Sequence, residues 1–114
     1  MSDIASTGGR LSYLNITDRL LRVELFREIR KAQEDSAARG ENWGSYVIQP
    51  GDRLSPELVA YKLYGIDTLK WVIMVAAYMD DPRDPLEVGR TIYLPTTSYL
   101  RERIKYYESL GARA

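Results

Sequence analysis

The chain has 114 residues, 45% of them hydrophobic, enough for one small domain with extensions. Lys plus Arg number 16 and so do Asp plus Glu, so no global field draws the chain to nucleic acid or an anionic membrane. Cysteine and histidine are both absent, which removes disulfides, thiolate nucleophiles, imidazole bases and the usual zinc ligands.

Residues 1–16 read as an extended N-terminal arm. Its first nine residues are small and polar with a Gly-Gly pair, and Leu11, Tyr13, Leu14 and Ile16 offer anchors. No basic segment followed by an apolar core opens the chain, so no secretory signal is expected. The longest apolar run, 71–78, falls far short of the roughly 20 residues that span a bilayer. The expected site of synthesis and assembly is the cytoplasm, with no membrane partner.

Residues 17–40 predict a flanking helix, capped by Thr17 or Asp18 and stopped at Gly40. Leu21, Leu25, Phe26, Ile29 and Ala32 fall on one side of its wheel, while Ile16, Leu20 and Val23 fall roughly opposite. Two apolar faces predict cover from both sides. The alternation LRVEL at 21–25 also fits a strand, but EIRKAQEDSAAR at 28–39 is rich in helix formers and favours the helix. Its arginines alternate with carboxylates at helical spacing, as on an ordinary solvated face. A linker follows at 41–44.

Residues 45–95 hold most of the apolar mass. SYVIQ at 45–49 predicts a strand, closed by the turn PGD at 50–52. Ser55 can cap a helix, with Pro56 first, Glu57 at the positive end of the dipole and Leu54 stapling onto Val59. That helix should stop at Gly65. Asp67 caps a second helix, with Ile66 placed to meet Trp71. Its stretch WVIMVAA at 71–77 carries no charge and must be buried. Pro82 and Pro85 break the chain, Gly89 turns it, and RTIYL at 90–94 predicts the second strand. In residues 96–114 a last helix runs from a cap at 96–98 to about Leu110, with a stripe of Leu100, Ile104 and Tyr107.

The predicted class is α+β: a β-α-α-β core with a two-stranded antiparallel sheet, plus N-terminal and C-terminal flanking helices. The predicted core is Val47, Leu58, Leu63, Trp71, Ile73, Val75, Ile92 and Leu94. Among possible sites, Asp80, Asp81, Asp84 and Glu87 cluster, but their spacing does not fit a calcium loop and Arg83 interrupts them. Aspartate before proline is a turn device. No enzyme activity, metal or cofactor is expected. Aromatics outside the core are favoured interface anchors, so Tyr13, Leu20, Val23, Trp43, Tyr99, Arg103 and Tyr106 are the candidate partner-interface residues.

YVIQPGDRL at 46–54, AYKLYG at 60–65 and GRTIYLP at 89–95 resemble the LysM domain. GIDTLKWVI at 65–73, followed by Asp81-Pro82 and Asp84-Pro85-Leu86, is similar to the LysM-like baseplate wedge proteins of contractile-tailed phages. This resemblance implies a structural baseplate component that acts by protein–protein binding in the virion. The implied partners are wedge subunits, the hub and the first sheath ring, with six copies per particle. It also implies a groove between Gly51, Asp52, Arg53 and Leu54 on one lip and Tyr78, Met79 and Asp80 on the other. A peptidoglycan-binding LysM module is the alternative, disfavoured because glycan-binding members usually carry an Asn-rich end to the second helix. This chain has Ala76, Ala77, Tyr78 and Met79 there.

Overall fold

The computed structural model describes residues 11–81 and 83–113; the expectations for residues 1–10, Pro82 and Ala114 fall outside them. Four helices and a two-stranded antiparallel sheet make an α+β fold.

Helix α1 is Arg19–Glu34, with the Asp18 carboxylate accepting from the Leu20 N–H at 2.8 Å. It stops well before Gly40. The Asp35 side chain accepts from the Ala37 N–H at 2.9 Å and opens a 3-10 turn at Ser36–Ala38, a local competitor for the helical backbone. Strand β1 is Trp43–Val47 and β2 is Thr91–Pro95, in a register from Trp43 opposite Pro95 to Val47 opposite Thr91. The strand thus starts inside the predicted linker, because pairing with β2 holds Gly44 extended.

Helix α2 is Pro56–Tyr64, with Ser55 accepting from the Leu58 N–H and Gly65 closing it at φ 75°. Only glycine takes that left-handed position without strain. Leu54 is 65% exposed and does not staple the start. Helix α3 is Lys70–Ala76, preceded by a 3-10 turn at Asp67–Leu69. Asp67 lies inside that turn and makes no capping bond; Ile66 occupies the cap position. At the end of α3, Met79 N–H donates to Met74 C=O at 2.8 Å around Tyr78, whose φ is 58°. Helix α4, Thr97–Arg113, runs through Gly111, which lies against Leu21 and Thr17, so contact with α1 overrides the expected stop.

Ile92 and Leu94 of β2 face Val72, Ile73, Val75 and Ala76 of α3, with Val59 and Ala60 of α2 beside them. Each large aliphatic buried here contributes about 1.5–3 kcal/mol. A second cluster, Ile16, Leu25, Ile104 and Tyr107, joins α1 to α4. Trp71 packs against both clusters. Leu11 and Ile16 are each 0% exposed, so the end of the supposed arm is anchored in the core at these two residues.

Three predicted core residues are exposed instead: Val47 at 45%, Leu58 at 39% and Leu63 at 41%. Strand parity explains Val47, since Tyr46 and Ile48 face the helices and Val47 must face away. On α2 the buried stripe is Pro56, Val59 and Ala60, which leaves Leu58 about a quarter turn off, and Leu63 borders an open cleft. Ile73, Val75, Ile92 and Leu94 are buried, and Trp71 is partly buried.

The outer edge of β2 is closed by a side chain. Gln33 of α1 accepts from the Tyr93 N–H and donates to the Tyr93 C=O, both at 2.8 Å. Gln33→Ala is expected to cost about 1–3 kcal/mol, because it strands two backbone groups under α1. Amide exchange at Tyr93 should speed up about tenfold or more. An unchanged exchange rate would show that something else protects this edge.

Candidate functional site

Two of the seven residues of the predicted groove, Asp52 and Met79, are buried. Asp52 is fully buried and its carboxylate takes three hydrogen bonds: from the Tyr46 hydroxyl, from the Gln49 N–H at 2.9 Å and from Lys62 Nζ at 2.7 Å. Burial alone would raise the Asp52 pKa. The bonds from Lys62, Tyr46 and the Gln49 backbone outweigh it and hold the carboxyl below its usual range. Met79 is buried as well, and Leu86 N–H, from the loop beyond the second lip, donates to Arg53 C=O at 2.7 Å. Gly51, Arg53, Leu54 and Asp80 are exposed. Tyr78 points away from the groove: its hydroxyl donates toward Glu34 at 2.7 Å, and the Arg30 and Arg90 guanidiniums lie 5.3 and 5.4 Å from its ring.

Four of the seven candidate interface residues are taken up within the chain. Tyr13 packs edge-on against Phe26 and Trp71, with centroids 5.2 and 5.3 Å away. Trp43 packs on Tyr99 at 5.5 Å. Tyr99 and Arg103 converge on one carboxylate, Glu28 of α1. Glu28 accepts from Tyr99 at 3.2 Å, from Arg103 at 3.0 Å and from the Tyr107 hydroxyl. Burial, then the bond to Glu28, pushes the Tyr107 hydroxyl up to about 12. Arg103 also stacks over Tyr106 at 4.5 Å. This cluster fastens α4 to α1. A sequence cannot distinguish an aromatic that anchors a neighbour from one that anchors its own chain, and here the second role prevails.

Leu20, Val23 and Tyr106 do reach solvent, at 75%, 46% and 48% exposure. The opposite face of α1 is therefore open: of its expected apolar residues, Ile16 precedes the helix and is buried with Leu25, Ile104 and Tyr107. The sequence reading missed Leu14 and Tyr61, which are 57% and 59% exposed. Tyr61 sits among apolar residues of α2, yet it lies one residue past the buried pair Val59 and Ala60 and so faces outward. Two clefts border α2. One, of about 550 Å³, is lined by Leu58, Tyr61 and Ile66 with Glu57 and Asp67. The other, of about 400 Å³, lies between β1 and the end of α2, with Gly44, Tyr46, Leu63 and Leu94 in its walls.

Asp81 accepts from the Arg83 N–H at 2.8 Å and from its guanidinium at 2.9 Å, so the acidic loop is turn structure. Among the described residues no group of three acidic side chains is placed to hold a metal ion, and no helix is long and apolar enough to cross a membrane. No family model, characterised protein or solved structure matches the chain.

Proposed function

We propose that the chain is a structural adaptor of a contractile phage tail baseplate, acting by protein–protein binding. The reading rests on the resemblance of residues 46–95 to LysM-like wedge proteins. The observation that favours it over glycan binding is the state of the groove's carboxylate: Asp52 is buried and already takes hydrogen bonds from Tyr46, Gln49 and Lys62, and Met79 is buried too. A sugar would have to displace those donors to reach Asp52. Helix α1 packs against β2 and α3 of the β-α-α-β unit and is itself fastened to α4, and a rigid body of this kind suits an adaptor. Its proposed contacts are wedge subunits, the hub and the first sheath ring, in six copies per particle.

Leu20 and Val23 on the open face of α1 are the residues this reading commits to a neighbour. Co-expression with the other products of its operon should recover tail proteins with the wild-type chain. Leu20→Glu with Val23→Glu should abolish that recovery and leave the melting curve unchanged, since both side chains are solvated. Retention of the isolated chain on insoluble peptidoglycan, with no tail protein recovered, would replace the adaptor by the cell-wall module.

A further inference from the structure

A two-stranded sheet has two edges, and this one treats them differently. In β1 and β2 the hydrogen-bonded pairs are the even-numbered ones: Thr96 N–H donates to Asn42 C=O at 2.8 Å, and Ile48 N–H to Arg90 C=O at 2.9 Å, in the register of Gly44 with Leu94. Odd-numbered residues therefore aim their backbone groups outward. On β2 that outward residue is Tyr93, and Gln33 satisfies it. On β1 the outward residues are Trp43, Ser45 and Val47. Among the described residues no partner meets the Ser45 N–H or C=O, and Gly44, Ser45 and Val47 are all exposed. The Val47 C=O accepts from its own Gln49 side chain at 2.9 Å, an exposed amide that would have to release it for the edge to pair.

We infer that β1 is a pairing edge for a second copy of this chain, in an antiparallel arrangement centred on Ser45. The register is self-complementary. With Ser45 opposite Ser45, Trp43 falls opposite Val47, so every outward-facing residue meets an outward-facing residue and the ladder closes on a two-fold axis. On the other sheet face, Gly44 falls opposite Tyr46 in the closer, non-hydrogen-bonded spacing. Among the described residues nothing lies within 4 Å of where a Cβ at Gly44 would be, so the partner's Tyr46 ring has room there. An aromatic covering a cross-strand glycine is a favoured pair. Tyr46 is already held by its bond to Asp52, so little rotamer freedom remains to be lost.

Charge and shape agree with a copy of itself as the occupant. No residue from 42 to 51 is charged and the chain is neutral overall, so two copies meet without repulsion. Edge strands that avoid pairing usually carry lysine, proline or a bulge; β1 has none of these. Leu63 and Val47 flank the edge, each more than two-fifths exposed, and the 400 Å³ cleft opens beside it. Five paired residues with these flanks remain below the roughly 1,200–2,000 Å² of a tight interface, so the pair exchanges with monomer.

This inference stands on the strand edge alone and is independent of the baseplate reading. Sedimentation velocity over a concentration series should show wild-type chain moving to a dimer. Ser45→Pro removes the outward N–H without touching the internal ladder, and Ser45→Lys sets two ammonium groups face to face. Both should stay monomeric with unchanged circular dichroism and melting curves. An equimolar mixture of Ser45→Lys and Ser45→Glu should dimerise again, a result that only the pairing of residue 45 with itself produces. A wild-type chain that stays monomeric at millimolar concentration overturns the proposal. So do a Ser45→Lys chain that dimerises like wild type and a Lys–Glu mixture that stays apart.

Discussion

Trp71→Ala should lower the unfolding free energy by about 3–5 kcal/mol, a large share of what a small domain has. The indole sits where the two hydrophobic clusters meet. Its ring contacts Tyr13 at 5.3 Å and Phe26 at 6.1 Å, and its N–H donates to the Leu11 C=O at 3.1 Å. Truncation therefore removes the packing that joins the N-terminal segment and α1 to α3, and leaves a carbonyl without its donor. Trp71→Phe keeps most of the ring contact and loses only the hydrogen bond, so it should cost about 1 kcal/mol. Urea titrations followed by circular dichroism measure both. The wild-type transition should be single, because neither cluster can open without exposing the indole. Equal midpoints for wild type and Trp71→Ala would mean that Trp71 does not join the clusters.

Asp52→Asn should cost about 1–3 kcal/mol at neutral pH, with a pH dependence that identifies the cause. The folded carboxyl titrates below its unfolded value of about 3.9. The folded state therefore prefers the ionised form. The stabilisation it contributes is complete above that unfolded value and disappears as pH falls through the lower folded one. The gap between wild type and Asp52→Asn should therefore be constant from neutral pH down to about 5 and shrink below about 4. Chemical denaturation at a series of pH values measures it. A gap of constant size down to pH of about 2.5 would mean that the lost term is shape or hydrogen bonding, not the charge.

Helix α2 was legible end to end because its boundaries are local chemistry: a serine cap, a proline at the first position and a left-handed glycine. The uncharged stretch at 71–77 was legible for a related reason, since no orientation of such a helix suits water. The limits of α1 and α4 were not. Asp35 ends α1 by bonding its own backbone, and Gly111 stays helical because α1 lies against it. Strand β1 began earlier than its composition suggested because a partner strand, not propensity, holds Gly44 extended.

The candidate site fared worse for a plain reason. Asp52 looks like a groove residue when only its neighbours in the chain are read. Its role depends on Lys62, ten positions on, whose approach requires the fold. Tyr99 and Arg103 were offered to a partner because their true partner, Glu28, lies more than seventy residues away in the chain. Leu20 and Val23 were the reverse case: a second apolar face on α1 was visible, and both side chains are exposed among the described residues.

Gln33 has a further consequence, one of topology. A sheet with two free edges can recruit copies without limit and grow into a fibre. With one edge stopped by a side-chain amide, each molecule offers a single coupling point, and a two-fold contact consumes it on both sides. Assembly through this sheet then ends at two.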